Sequence, residues 1–148
     1  LLGPAGVVAV YVLTGVAGNL LSVAVHPQVV GAGASGAVFG LAGVLILLLK
    51  AKLLPVPPEE IRRLRKSVIY FALLNFVIGG ASMVLRTSIQ IDNMAHLGGF
   101  LCGLALGAPL VPRIGAARTQ YAFRSWAAYG GMTLLLLVFA FGIASFWR

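Results

Sequence analysis

Acidic residues are nearly absent from this sequence: only 3 of its 148 residues are aspartate or glutamate, against 11 lysines and arginines. All charged residues together make up 9% of the chain, hydrophobic residues make up 60%, and the mean hydropathy is +1.02. Soluble domains carry about 25% charged residues, so this composition excludes an ordinary soluble fold. We expect the net charge of +8 to mark the topology of a membrane protein and not to bind nucleic acid.

Cysteine is also scarce, because the chain has only Cys102 and therefore cannot form an internal disulfide. Apolar surroundings suppress the thiolate, so we interpret Cys102 as a small packing residue and not as a reactive thiol. We expect neither a metal nor a cofactor. The first residue is Leu1 and no cleavable signal peptide is recognisable, so we expect an N-terminally incomplete sequence that lacks upstream spans.

Long apolar segments are what this sequence has instead. They predict an all-α fold, a polytopic bundle of transmembrane helices that forms one membrane domain over residues 1–148. A full crossing needs about 20 residues for about 30 Å of hydrocarbon. About five spans are predicted, at residues 6–25, 35–54, 67–85, 93–111 and 125–147.

The basic residues divide unevenly between the two sides of this predicted bundle. If the side after the second span is the inside, the other side carries only Arg86 and Arg148. The inside carries Lys50, Lys52, Arg62, Arg63, Arg65, Lys66, Arg113, Arg118 and Arg124. This asymmetry predicts that connectors 50–66 and 112–124 are cytoplasmic. Within the first connector we expect residues 59–66 to form a short surface helix that lies on anionic lipid.

One glycine-rich segment, Gly31-Ala32-Gly33-Ala34-Ser35-Gly36, precedes the second span and carries a single hydroxyl. From Ser35 to Leu49 the apolar run has only about 15 residues, or about 22 Å of helix. If Lys50 and Lys52 mark one membrane surface, Ser35 lies below the other surface, after a re-entrant loop. Irregular backbone at that depth needs protein or water around it. Ser35 is therefore a candidate for chemistry, and its alternative role is an N-cap.

His96 is the second candidate, because an ionisable residue within a span indicates a functional site. It lies about 6 Å into a helix that starts on the same side as Ser35. Glycines line one face of each helix, namely Gly36, Gly40 and Gly43 on the second span and Gly99, Gly103 and Gly107 on the fourth. If these faces pack together, the Ser35 hydroxyl and the imidazole meet below the surface. Imidazole would then activate the serine, unless His96 is simply a packed, hydrogen-bonded residue.

Asp92 lies one turn before His96 and has two possible roles. It is placed to orient the imidazole as the acid of a catalytic triad. It is also placed to cap the fourth span, and the preference of aspartate for the N-cap position favours this second role.

Two of these segments resemble motifs of one known family. Gly33-Ala34-Ser35-Gly36 resembles the GxSG motif of rhomboid intramembrane serine proteases. Ala95-His96-Leu97-Gly98-Gly99, with Gly103, resembles the AHxxGxxxG motif of the same family. Gly18-Asn19-Leu20-Leu21-Ser22 is similar to the segment that precedes the serine loop. The resemblance extends from about residue 5 to residue 108.

The resemblance implies a serine endopeptidase with a Ser–His dyad and no acid, which cleaves transmembrane segments of membrane proteins near the outer surface. Ser35 would be the nucleophile and His96 the general base and acid. Backbone groups of Gly33, Ala34 and Gly36 would contribute to the oxyanion site. Phe39 stands where family members carry an aromatic residue that stacks on the histidine. We expect a bacterial inner membrane, transmembrane substrates, and a third span that acts as a lateral gate.

The family also has an upstream span with an HxxxN motif that helps to bind the oxyanion, and no segment of this chain matches it. We therefore expect residues 1–148 alone to be a poor protease. One alternative function is a non-catalytic rhomboid-like protein that binds membrane clients, although such relatives usually lack the serine or the histidine. A second alternative is a fragment of a transporter, since broken glycine-rich helices also form transport sites.

Overall fold

The computed structural model of the chain describes residues 2–27, 34–51, 56–85, 91–112 and 118–147. These ranges contain five helices and no strand, which confirms the all-α prediction. The helices are α1 (Gly3–Val25), α2 (Ser35–Lys50), α3 (Pro58–Val84), α4 (Asn93–Leu110) and α5 (Arg118–Phe146). Four of them are long and apolar enough to cross a membrane. The exception is α2, whose 16 residues give about 24 Å of helix.

The helices differ in length from the predicted spans at the basic connectors, and the predicted separate surface helix is not present. The predicted surface helix 59–66 and the span from residue 67 form one continuous helix of 27 residues, α3. No glycine or proline interrupts the chain between Pro58 and Gly79, so nothing ends the helix where its charged turns give way to apolar ones. Likewise, α5 begins at Arg118 and not at Ser125. The second span ends early, at Lys50, and residues 52–55 lie outside the described ranges, as does the predicted re-entrant loop at 31–33.

The core lies between α1, α2 and α4, and α2 is its centre. Nine of the 16 residues of α2 are buried, whereas only 11% of the apolar window of α3 and 6% of that of α5 are buried. The core cluster contains Val10, Ala17, Val44, Leu48, Cys102, Leu106, Leu110 and Leu136. Cys102 is therefore a packing residue, with its Sγ 4.0 Å from the carbonyl oxygen of Leu13. The outer faces of α3 and α5 expose many large apolar side chains, as expected for surfaces in contact with lipid.

Glycines bring the backbones of α2 and α4 into direct contact. A Cβ atom added to Gly99 would lie 1.9 Å from the carbonyl oxygen of Gly36, and one added to Gly103 would lie 2.1 Å from that of Gly40. Gly40 also faces α1, since its added Cβ would lie 2.1 Å from Cβ of Thr14. No side chain fits at these positions, so glycine is required for the close approach of the three helices.

The start of α5 is attached to the end of α4 by hydrogen bonds. The Nε atom of Arg124 donates to the carbonyl oxygen of Pro109 at 2.7 Å, and its guanidinium also donates to that of Val111. The Tyr121 hydroxyl donates to the carbonyl oxygen of Leu110 at 3.2 Å. The last carbonyls of a helix have no partner within it, so these side chains satisfy groups that would otherwise be exposed to an apolar environment.

We expect Gly103→Leu to destabilise the protein by about 3 kcal/mol or more, because its side chain must displace backbone and not a flexible neighbour. Gly130→Leu is the matched control, since a Cβ added to Gly130 on α5 meets nothing within 4 Å. Unfolding of both variants in mixed micelles measures the difference. Equal stability of the two variants would show that α2 and α4 separate without cost.

We expect Arg124→Ala to destabilise the protein by about 2 kcal/mol, because its two charge-assisted hydrogen bonds to partly buried carbonyls contribute more than neutral ones. Arg118→Ala, at the exposed first residue of α5, removes the same charge and should change stability little. The same unfolding assay tests this. A comparable loss in both variants would attribute the effect to charge alone.

Candidate functional site

The imidazole of His96 is held in the first turn of α4 by stacking on α2. Its ring lies 4.1 Å from that of Phe39, centroid to centroid, and the two planes differ by only 9°. Phe76 of α3 meets His96 edge-on at 6.1 Å and 80°, and it contacts Phe39 at 5.1 Å. Only 3% of His96 is exposed. The aromatic contacts therefore fix the plane of the imidazole and exclude lipid from it.

The polar surroundings of this imidazole are notable at one of its two nitrogens, Nδ1. Nδ1 of His96 is buried and makes no hydrogen bond with any residue that the structure describes. Buried polar atoms normally have a partner, so an exception of this kind in a membrane protein needs an explanation.

Ser35 is the first residue of α2 and is exposed. The N-cap position belongs to Ala34, so Ser35 does not have the capping role that the sequence allowed. It lies one turn before Phe39, on the part of α2 that leads to the stacked imidazole. Within the described ranges, no hydrogen bond joins Ser35 to His96.

Backbone contacts nevertheless bring the two residues to the same helix crossing. Gly36, which follows Ser35, packs against α4 on both sides of His96: its carbonyl meets Gly99, and its own added Cβ would lie 3.0 Å from the carbonyl oxygen of Ala95. From α1, Gly18 approaches the same carbonyl oxygen, where an added Cβ would lie at 2.5 Å. Three helices thus converge within one turn of both candidate residues.

The N-terminal end of α2 has backbone amides beside Ser35 that the helix itself does not pair. The first hydrogen bond of this end runs from the amide of Val38 to the carbonyl oxygen of Ala34 at 3.1 Å. The preceding amides, including those of Ser35 and Gly36, have no partner within the helix. Such donors, with the positive end of the helix dipole, favour a negative charge. Gly33, the other predicted contributor, lies outside the described residues.

Asp92 is the N-cap of α4, which confirms the role that the sequence favoured. Its Oδ1 accepts a hydrogen bond from the amide of Ala95 at 2.9 Å, and its Oδ2 accepts one from the hydroxyl of Ser22 on α1. Both carboxylate oxygens are therefore occupied by groups other than the His96 imidazole. Ser22 was not identified as a partner from the sequence, because the two residues are 70 positions apart.

Asn93 connects the site to α3. No pattern in the sequence predicts this contact. Its Nδ2 donates to the carbonyl oxygen of Phe76 at 3.1 Å. A Cβ atom added to Gly79 would lie only 2.0 Å from the Oδ1 atom of Asn93. Glycine at position 79 therefore leaves the space that this side chain needs. Nearby, the amide of Ile91 donates to the Ser82 hydroxyl at 3.2 Å. These few bonds hold α3 against the start of α4.

Comparisons with known proteins agree with the motifs. A family model described as the rhomboid domain matches residues 1–113. "Rhomboid-like protease 5" of Toxoplasma gondii is 29% identical over 76% of this chain and 12% of its own length. From Arabidopsis thaliana, "RHOMBOID-like protein 5" is 33% identical over 76% of this chain and 35% of its own length, and "RHOMBOID-like protein 7" is 34% identical over 66% and 28%.

The chain spans from about one eighth to about one third of the length of these curated relatives. No solved structure matches it. The rhomboid domain nevertheless covers well over half of the chain and includes both glycine-rich helices and the site between them. The chain therefore belongs to the rhomboid family of multi-pass integral membrane proteins.

Proposed function

We propose that this protein is an intramembrane serine endopeptidase in which Ser35 is the nucleophile and His96 the general base and acid. The single observation that carries the proposal is the state of His96: its ring is buried and stacked on Phe39, and its Nδ1 has no hydrogen-bond partner among the described residues. A histidine that served only packing would be expected to have both ring nitrogens satisfied.

The reaction follows from the chemistry of these groups. Imidazole takes the proton of the Ser35 hydroxyl as its oxygen attacks the carbonyl carbon of the scissile peptide bond. The resulting oxyanion is stabilised by backbone amides at the start of α2. The imidazolium then gives its proton to the departing amine. In the second half, imidazole takes a proton from the water that attacks the acyl-enzyme and gives it to the Ser35 oxygen as that oxygen leaves. A movement of the exposed Ser35 side chain toward His96 precedes the first step.

Substrates of this enzyme would be transmembrane segments that enter beside α3. This helix is buried over only 11% of its apolar window, and at the site it is attached through Phe76, Asn93 and Gly79. Separation of α3 from α4 therefore breaks fewer contacts than separation of any pair among α1, α2 and α4. The family relationship supports membrane proteins as the substrate class.

The orientation of the bundle remains part of the proposal. The excess of basic residues near connectors 50–66 and 112–124 supports a cytoplasmic location for both. The site then opens toward the opposite face of the membrane. A bacterial inner membrane has no support from the comparisons, whose named relatives belong to Toxoplasma gondii and Arabidopsis thaliana.

A second function, binding of membrane clients without catalysis, is favoured by one observation. Ser35 and His96 make no hydrogen bond to each other within the described ranges, as they would in an assembled dyad. Hydrogen bonds of catalytic groups are often long before substrate binds, so we rank catalysis first.

We expect Ser35→Ala and His96→Ala each to lower cleavage of a transmembrane reporter by at least about 10³-fold in the full natural chain, because residues that act as one unit fail singly. The control is Ser145→Ala, which removes an exposed hydroxyl on α5 that bonds only its own helix. A fluorophosphonate probe should label the wild type and not Ser35→Ala. Client binding that survives in Ser35→Ala, without probe labelling of the wild type, would instead establish the non-catalytic function.

We expect Asp92→Asn to retain substantial activity, because asparagine is as good an N-cap as aspartate and its side-chain oxygen still accepts a hydrogen bond. Asp92→Ala should lower stability by about 1 kcal/mol through loss of the cap. Reporter cleavage and unfolding, measured on both variants, separate the two effects. Loss of activity in Asp92→Asn as severe as in Ser35→Ala would make Asp92 the acid of a triad.

A further inference from the structure

A cavity of about 260 Å³ lies where the C-terminal end of α2 meets the first two turns of α3. Among the described residues, three basic side chains line it, those of Lys50, Arg62 and Arg65. The rest of its wall is mainly apolar and includes Leu49, Val56 and Ile61. This cavity is at the opposite end of α2 from Ser35, so it is separate from the candidate active site.

The charges around this cavity are unbalanced. The chain has only three acidic residues, and none of them lines the cavity. Glu60 pairs with Arg63 at 3.5 Å on another face of α3, and Asp92 caps α4 beyond the far end of the bundle core. Glu59, one turn before Arg62 on α3, is exposed and forms no ion pair with Arg62 or Arg65 among the described residues. A general excess of basic residues on one side of a membrane does not require this arrangement.

Arg62 and Arg65 lie three residues apart, so they share one face of α3 with the buried side chain of Ile61. Lys50 approaches from α2, directly after its apolar run ends. Guanidinium groups bind phosphate oxygens with two parallel hydrogen bonds, and a lysine adds a point charge. The cavity therefore combines three donors for an oxyanion with an apolar surface beside them.

We propose that this cavity binds the phosphate headgroup of an anionic phospholipid. A free phosphate ion would gain nothing from the apolar wall, whereas the glycerol and first acyl carbons of a lipid would cover Leu49, Val56 and Ile61. A zwitterionic headgroup carries a positive charge of its own, which the basic side chains around the cavity would repel. An anionic lipid is therefore preferred. The level of the cavity fits this ligand, because Lys50 marks the end of the apolar part of α2.

The lipid would connect α2 and α3 at the end opposite the aromatic contacts of Phe39 with Phe71 and Phe76. α3 is largely exposed, and Ile61 is a buried residue near its start. A headgroup bound by Lys50 on α2 and by both arginines on α3 would strengthen that attachment. This inference stands independently of the proposed peptidase activity, since it concerns the other end of the helices and needs no chemistry at Ser35.

The test is lipid-dependent thermal stability of the full chain in detergent micelles, titrated with phosphatidylglycerol, phosphatidylcholine or inorganic phosphate. Two double variants remove the same charge from the same helix: Arg62→Gln/Arg65→Gln at the cavity, and Arg63→Gln/Lys66→Gln outside it. Glutamine keeps good helix propensity, so both should fold. Lys50→Gln, on α2, is a further variant that leaves α3 unchanged.

We expect phosphatidylglycerol to raise the midpoint of the wild type in a saturable way. The cavity pair should weaken its apparent affinity about thirtyfold, which corresponds to about 1 kcal/mol for each basic residue near a charged headgroup. Lys50→Gln should weaken it in the same direction, and the outer pair should weaken it much less.

Three results would overturn the inference. Equal losses in the two double variants would show diffuse attraction of lipid to a basic surface and no defined site. Equal stabilisation by phosphatidylcholine would exclude recognition of negative charge. Stabilisation by inorganic phosphate at the same concentrations would assign the cavity to a free oxyanion and not to a lipid.

Discussion

The direct contact between the backbones of α2 and α4 is the constraint on which the rest of this structure depends. Within a bilayer, apolar side chains gain little by leaving lipid for protein, so helices associate through close packing and hydrogen bonds. At Gly99 and Gly103 the carbonyl oxygens of Gly36 and Gly40 occupy the space that a Cβ atom would need. The same contact sets the relative heights of the two helices, and therefore the heights of Ser35 and His96.

The sequence predicted this contact because glycine spacing is a local property. Residues four apart on a helix share a face, so Gly99, Gly103 and Gly107 predict a smooth surface without any knowledge of the partner. A serine and a histidine beside two such surfaces then predict a shared site. The stacking position of Phe39 was available only through the family resemblance, since an aromatic residue one turn after Ser35 has many possible neighbours.

The parts that the sequence did not predict depend on distant contacts or on missing stop signals. The bond from Ser22 to Asp92 and the fit of Asn93 against Gly79 join segments whose proximity no local pattern shows. The lengths of α3 and α5 were misjudged for a different reason. The charged residues at the starts of α3 and α5 resemble a connector in the sequence, but a helix can continue from charged turns into apolar ones without a break.

The polar groups at the end of the bundle that holds His96 differ in their hydrogen bonding. Asp92 is occupied by a backbone amide and a hydroxyl, and the amide nitrogen of the Asn93 side chain is occupied by a carbonyl of α3. These groups hold three helices around the first turn of α4. His96 is buried as well, and among the described residues neither its Nδ1 nor the Oδ1 of Asn93 has a hydrogen-bond partner.

A rigidly held base without a hydrogen-bond partner lowers the stability of the fold. A serine that acts as a nucleophile, however, needs such a base beside it. The short length of α2 completes this arrangement. Its 16 residues give a helix shorter than the hydrocarbon layer, so a helix whose Lys50 end is fixed at one surface must begin beneath the other. If Lys50 lies at one membrane surface, the length of α2 alone places Ser35 beneath the other.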